Sequence, residues 1–396
     1  MMSSPEASPK RRRPIAAAVG LSISALLILL SAMVWIPTYT MWMFPLTVGS
    51  SEMSPLLVIL DLVWCIVVNR LLAGYGVARG VTMALLVLAG LAAVRPLTQY
   101  TTVAAAAAEQ MGTEAMPPRF SLVAAVRGLP TSADVVERTI AYAADDGTPL
   151  SMRLYAQGGA QQRPLVVVIY GGAWRNGSAT QCENVSRALA SRGYAVAAID
   201  YRHAPRFQYP TQLVDVRRSL ALLRDSASAW KLDTARIALL GRSAGGHLAE
   251  LAAYAPGDVP VQAVIALYAP HDLVQGYRDL PSPDPIDVRE VLRGFLGGTP
   301  EEQATRYHDG SPSTHVRRGL PPTLLIFGGR DRIVKPSFNR GAASRLRAAN
   351  VPVVSVELPW AEHGFDMAPS GLGAQLAFNV ILDFLARELR HSPVWR

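Results

Sequence analysis

The sequence predicts a mostly parallel α/β domain, its sheet flanked by helices, preceded by an N-terminal transmembrane helical segment. Three observations carry this. An uncharged apolar run of 22 residues extends from Ile15 to Ile36. From about residue 131, short Val/Ile/Leu-rich runs alternate with helix-like segments. Finally, Gly241-Arg242-Ser243-Ala244-Gly245 lies between such a run and such a helix.

Residues 1–14 are polar and basic and are expected to be disordered. Residues 15–96 then hold about three membrane helices. A helix needs about 20 apolar residues to cross a bilayer, and Ile15–Ile36 meets this outright. Leu56–Leu72 is the second candidate and carries Asp61. Val81–Val94, bounded by Arg79 and Arg95, is the third and the shortest. Trp35, Tyr39 and Trp42 suit an interfacial aromatic belt. A signal-peptide apolar core is about 7–15 residues long, so the first run reads as an anchor.

The basic cluster Lys10–Arg13 predicts an inside N-terminus. The loop at 37–55 has no Lys or Arg and suits the outside, whereas the loop at 73–80 carries Arg79 and suits the inside. Three crossings place the remainder of the chain outside the cytoplasm, in a multi-pass protein expected in a bacterial cell membrane. Residues 97–130 read as a linker, extended or partly helical.

The domain at 131–396 opens on a hairpin, Val135–Ala143 and Leu150–Tyr155, around the turn Asp145-Asp146-Gly147. The later runs are Leu165–Tyr170, Ala195–Asp200, Ile237–Gly241, Ala263–Tyr268, Thr323–Phe327 and Val353–Leu358. Near-continuous apolar runs of this kind suit strands buried on both faces. Helices are expected at about 181–192, 212–226, 245–255, 337–349 and 373–390. Strand–helix alternation implies right-handed crossovers and ligand binding beyond the C-terminal strand ends. The polar residues directly after each run are therefore the candidates for chemistry.

Gly241–Gly245 matches G-x-S-x-G between a strand and a helix, the setting of a nucleophile elbow that exposes the hydroxyl of Ser243. A serine needs a base oriented by a third group. In chain order after it come Asp331, beyond the run at 323–327, and His363, beyond the run at 353–358. Asp366 and Glu362 are rivals for the acid, but both lie close in sequence to the base. The other six of the seven histidines lack such a placement. Tyr170-Gly171-Gly172-Ala173-Trp174 directly follows the run at 165–169. Its glycines let backbone N–H groups approach a developing oxyanion. The expected oxyanion hole comprises Gly171, Gly172, Ala173 and Ala244, with the donors from Ala244 and from Gly172 or Ala173. Tyr170 and Trp174 flank it and are expected to contact substrate. Residues 271–315, rich in Pro, Gly and charge, read as a cap insertion.

Composition narrows the alternatives. The net charge of +8 is partly the Lys10–Arg13 cluster, and the remaining basic residues are interleaved with acids, so no nucleic-acid partner is indicated. Two cysteines make no disulfide framework. No metal-ligand spacing such as C-x-x-C or H-E-x-x-H occurs, and no metal or cofactor is implied.

Taken together, these residues resemble the α/β-hydrolase fold esterases related to hormone-sensitive lipase. The likeness is closest to the bacterial branch with feruloyl-esterase-like and kynurenine-formamidase-like members. It covers about residues 131–390. It rests on Tyr170–Trp174, Asp200-Tyr201-Arg202-His203-Ala204-Pro205, Ser243–Ala249, Phe295-Leu296-Gly297-Gly298, Gly329-Arg330-Asp331 and His363-Gly364-Phe365. The family usually has His where Tyr170 stands, and Asp or Gly where Arg242 stands. The resemblance implies an α/β-hydrolase fold, structural roles for Asp200 and Arg202, and hydrolysis of a small-molecule or lipid ester. The same triad would also serve an acyltransferase or amidase, and a non-catalytic scaffold that only binds is the other reading.

Overall fold

A computed structural model describes residues 9–112, 120–257 and 260–389. The N-terminal part is helical: α1 (Pro9–Met33), α2 (Phe44–Glu52), α3 (Ser54–Leu71), α4 (Gly76–Met111) and α5 (Leu122–Arg127). The disorder expected for residues 1–14 lies outside the described residues up to residue 8, and from Pro9 the chain is helical. Ser31 Oγ donates to Asp61 Oδ2 (2.9 Å) and Trp64 Nε1 to Ser24 Oγ (2.9 Å), which fixes α1 and α3 as antiparallel. Arg79 Nε donates to Asn69 Oδ1 across the α3–α4 turn (2.7 Å). Among the described residues, three helices are long and apolar enough to cross a membrane: Pro14–Met33, Ser54–Leu71 and Gly76–Met111.

The third helix differs from its expected limits of Val81–Val94. It starts at Gly76 and runs through the first part of the expected linker to Met111. Residues 113–119 of that linker lie outside the described residues, and α5 follows. The charges at Arg79 and Arg95 set those expected limits. Pro96 lies within the observed helix, and proline leaves the carbonyl four residues earlier without its helical donor. Here the indole Nε1 of Trp35 donates to the carbonyl of Ala92 (3.1 Å), so that acceptor is satisfied and the helix continues. Beyond Pro96 the helix leaves its apolar surroundings for the globular domain. Tyr100, Ala104, Ala107 and Met111 are buried in the main core, with Tyr100 stacked on Trp360 at 6.4 Å.

The domain is built on β1 (Val135–Ala143), β2 (Pro149–Gln157), β3 (Arg163–Ile169), β4 (Ala195–Ile199), β5 (Leu232–Arg242), β6 (Ala263–Leu267), β7 (Thr323–Gly328) and β8 (Val353–Leu358). They form one eight-stranded sheet in the order β1-β2-β4-β3-β5-β6-β7-β8. β1 and β2 pair antiparallel, as do β2 and β4, and the remaining pairs are parallel. Every residue of β3, β4, β6 and β7 is buried, as strands covered on both faces require.

The helices of the domain are α6 (Glu183–Ala190), α7 (Thr211–Asp225), α8 (Ala227–Trp230), α9 (Ala244–Tyr254), α10 (Leu273–Arg278), α11 (Val288–Leu296), α12 (Ala304–Asp309), α13 (Pro336–Ala348) and α14 (Leu372–Glu388). α10 to α12 fill the β6–β7 connection, where the cap was expected. Arg202, directly after β4, is buried and pairs with Asp215 of α7 at 2.7 Å, while Asp200 accepts from Ser151 and from the Ala179 N–H. These bonds hold the sheet to its flanking segments and leave both residues outside the site described below.

One buried carboxylate ties the two parts together. Glu52, at the end of α2, is fully buried, and its Oε2 accepts the N–H groups of Gly373 (2.6 Å) and Ala374 (3.2 Å) in the first turn of α14. Burial nevertheless pushes its carboxyl from 4.5 up to about 8. The native state therefore holds a proton that the unfolded chain releases near pH 4.5. This contribution to stability is full below about pH 4.5 and is lost as the pH rises towards 8. Glu52→Gln is expected to remove that dependence, raising the Tm by several degrees at pH 8 but by little near pH 5. Thermal unfolding of the full chain in detergent at both pH values checks this.

Candidate active site

β5 ends in the sharp turn that carries Ser243, whose backbone adopts φ 51° and ψ −121°. A non-glycine residue at positive φ is strained and persists only where its surroundings hold it. Here the Ser243 N–H donates to the Leu267 carbonyl (2.8 Å), and its own carbonyl accepts the His247 N–H (3.0 Å) as α9 begins. The turn also needs Gly245: a Cβ there would lie 2.2 Å from the Ile169 carbonyl oxygen. Strand β3 and the start of α9 can approach this closely only without a side chain.

Asp331 and His363 come from the loops after β7 and β8 and meet Ser243 at the C-terminal edge of the sheet. His363 Nδ1 lies 2.7 Å from Asp331 Oδ2, and His363 Nε2 lies 2.9 Å from Ser243 Oγ. Asp331 is buried, and its Oδ1 accepts the N–H groups of Ile333 and Val334 (both 2.8 Å). The ionised carboxylate only accepts. Nδ1 therefore carries the imidazole proton, leaving the Nε2 lone pair for the serine hydroxyl.

The two rivals for the acid are engaged elsewhere. Asp366 pairs with Arg242 (2.9 Å) and accepts the Tyr268 hydroxyl, while Glu362 pairs with Arg330 (3.2 Å). His247, next to the elbow, is also excluded as a base. It receives the Trp174 Nε1–H at Nδ1 (3.2 Å) and gives its own proton to the Gly310 carbonyl (2.6 Å), and burial lowers its pKa to about 3.

The loop Gly171–Trp174 closes over the elbow. A Cβ on Gly171 would lie 3.1 Å from Ser243 Cβ, so this backbone rests directly on the nucleophile. Gly172 has φ +128°, a conformation that favours glycine, and Ala173 follows at φ 53°. Among the described residues, neither Gly172 nor Ala173 gives its N–H to a backbone acceptor outside the regular elements. Ala244 is the first residue of α9, where helix N–H groups lack intrahelical partners. Gly171, Gly172 and Ala173 line the same cavity as Ser243.

Tyr170 does not contact the site. It is buried beneath the loop, stacked on Tyr201 at 4.5 Å, with its hydroxyl 2.9 Å from His203 Nε2, and it lines no cavity at Ser243. The expected substrate contact is corrected: the side chain is consumed in supporting the loop from below. Trp174, stacked on Phe295 at 4.2 Å, does border a small cavity next to Ser243, of about 50 Å³, shared with Leu273 and Leu292.

A larger cavity of about 620 Å³ opens above Ser243 and His363. Sequence reasoning missed several of its walls. Met41 and Phe44 reach it from the segment between α1 and α3, Ile286 from the cap, and Phe378 and Ile381 from α14. Nothing local in the sequence marks Met41 or Phe44, because only the packing of two distant segments brings them there. Among the described residues, no group of His, Cys, Asp and Glu could hold a metal ion.

The BD-FAE family model matches residues 152–346. The chain is 34% identical over 230 residues to the probable carboxylic ester hydrolase LipM of Mycobacterium tuberculosis, covering 55% of this chain and 53% of that protein. To esterase LipC of the same organism it is 33% identical over 219 residues, covering 52% and 53%. The chain thus spans about half the length of the curated relatives it matches. Among solved structures, a bacterial heroin esterase aligns with a TM-score of 0.60 at 25% identity, over 68% of this chain and 89% of that one. A thermophilic esterase of Thermogutta terrifontis aligns with a TM-score of 0.53 at 25% identity, over 65% and 95%.

Proposed function

We propose that this chain, whose globular domain belongs to the hormone-sensitive-lipase-like esterases of the α/β-hydrolase fold, is a membrane-anchored serine carboxylic ester hydrolase. The observation that carries the reading is the unbroken relay from Asp331 through His363 to Ser243, beside the loop Gly171–Ala173 and at the foot of an apolar cavity. Ser243 Oγ attacks the ester carbonyl as His363 Nε2 takes its proton. The carbonyl oxygen, now charged, is held by the N–H groups of Ala244 and of Gly172 or Ala173. The tetrahedral intermediate collapses, His363 returns the proton to the leaving alcohol, and the acyl group stays on Ser243. Water, deprotonated by His363, then releases the acid. Asp331 stays ionised throughout and stabilises the imidazolium.

Hydrolysis of a panel of chromogenic esters by the full chain tests this reading. Turnover that depends on Ser243 supports it, and its absence on every ester rejects it. Tyr170→Phe is expected to lower kcat by less than about tenfold, whereas loss of a true oxyanion donor costs about 10²–10³. A loss of the larger size in a folded variant would place the Tyr170 hydroxyl in the site.

The membrane anchor is part of the same proposal. The helical segments at 14–33, 54–71 and 76–95 are each about 27–30 Å long at 1.5 Å per residue, the thickness of a hydrocarbon core. Their outward side chains are apolar, including Leu26, Leu62, Ile66, Leu88 and Leu91. With α4 starting at Gly76, the third crossing has its full length. Arg95 then sits at the outer boundary, its guanidinium 4.3 Å above the Trp35 ring, and Arg70 and Arg79 mark the inner one. The globular domain lies on the outer side. Reporters fused to the C-terminus of the full chain, one active only outside the cytoplasm and one only inside, are expected to signal outside. A cytoplasmic signal rejects the three-crossing topology.

A further inference from the structure

The wall of the large cavity is shared between the globular domain and the N-terminal helices, and this has a chemical consequence. The segment at 34–53 connects two span-length helices, so in the proposed anchor it lies at the membrane surface. It is also locked onto the site. Arg330, next to Asp331, donates to the Val34 carbonyl and to Ser51 Oγ, and Glu52 binds the first turn of α14. The Phe44 ring sits against the His363–Gly364 backbone: a Cβ on Gly364 would be 3.1 Å from its Cζ. The membrane-surface segment is thus a fixed part of the pocket, with Met41 and Phe44 facing the space above Ser243.

The rim of this pocket carries the exposed apolar side chains that a water-facing site would avoid. Met41 and Met367, both lining the cavity, are 45% and 66% exposed. Trp42 beside Met41 is 73% exposed. α5 adds Val123 and Val126, at 65% and 73%; it is tied to the rim by Ser370 Oγ donating to the Ala125 carbonyl, and it leads into Leu129 in the cavity wall. A short helix with an exposed apolar face beside a membrane anchor is suited to the headgroup–acyl boundary. Inside the cavity the charged side chains Arg242 and Asp366 neutralise each other at 2.9 Å. No unbalanced charge is left there to favour an anionic ester.

We propose that the pocket takes an uncharged long-chain acyl ester directly from the outer leaflet, its acyl chain lying against Met41, Phe44, Phe378 and Ile381. This rests on the serine-esterase reading and names its substrate class. Each methylene draws the ester out of water into the leaflet by about 0.8 kcal/mol, roughly fourfold in kcat/KM referred to the bulk ester concentration, and passage from leaflet to pocket then exchanges one apolar surrounding for another.

The test uses the full chain in phospholipid vesicles with two chromogenic aryl esters, a soluble butyrate and a dodecanoate dissolved in the bilayer. The dodecanoate is expected to show a kcat/KM at least about tenfold higher. In Met41→Ala/Phe44→Ala the dodecanoate-to-butyrate ratio is expected to fall about tenfold. A second variant, Val123→Asp/Val126→Asp, alters only exposed positions and keeps the proposal testable should the first misfold; there too the ratio is expected to fall about tenfold. Butyrate turnover with no preference for dodecanoate, or ratios unchanged in both variants, overturns this inference and leaves the esterase reading standing. No turnover of either ester overturns both.

Discussion

Replacing Ser243 by alanine is expected to lower kcat by about 10⁴–10⁶ while leaving the fold intact. The hydroxyl makes one hydrogen bond, to His363 Nε2, and the turn is held by backbone bonds that alanine keeps. Without Oγ no acyl-enzyme forms, and the only remaining route is direct attack by water in the oxyanion hole. Because triad members act as a unit, His363→Ala should cost about as much and the double variant little more. Purified S243A compared with the parent on a short-chain ester, with circular dichroism as the check on folding, gives the measurement. Turnover near the parental rate would remove Ser243 from the mechanism.

Asp331→Asn carries the second large effect, and it comes from proton placement rather than size. The backbone N–H groups of Ile333 and Val334 fix Oδ1. An asparagine keeps those bonds with its carbonyl oxygen and turns its NH₂ towards His363. An NH₂ group donates, so Nδ1 must accept and the imidazole proton moves to Nε2. Nε2 then has no lone pair for the Ser243 hydroxyl. A kcat loss of about 10⁴ with little change in KM is expected. A loss of under tenfold would mean that Asp366 or Glu362 can take over, against the pairings those residues make with Arg242 and Arg330.

Much of this site was legible because the fold puts chemistry at predictable points of the chain. In a parallel sheet the residue after an apolar run emerges at the C-terminal edge. Asp331 and His363 follow such runs and Ser243 stands in a G-x-S-x-G turn after another, and the three side chains lie within hydrogen-bond reach of one another in succession. The strands were equally legible: Val135–Ala143 and Val353–Leu358 match their expected limits. By contrast, β5 begins at Leu232, before its expected start, because Thr234 to Arg236 lack the apolar pattern.

What the sequence hid depends on contacts between distant segments. The continuation of α4 through Pro96 rests on an indole donor 61 positions earlier, Trp35. The part of Met41 and Phe44 in the cavity rests on Arg330 and Glu52, which clamp the N-terminal segment to the domain. Tyr170 was misplaced for a related reason. Its neighbours in sequence are loop glycines, but its neighbours in space are Tyr201 and His203 beneath the loop.

The proposed esterase depends on Ser243 being a nucleophile activated by His363 and Asp331. The most direct measurement treats the full-length protein in membranes with a fluorophosphonate, locates the adduct by mass spectrometry and follows ester turnover in parallel. One adduct is expected, on the peptide containing Ser243, with turnover falling in step with labelling, and no adduct in His363→Ala on the same time scale. Turnover that survives complete labelling, or an adduct on another residue, would contradict it.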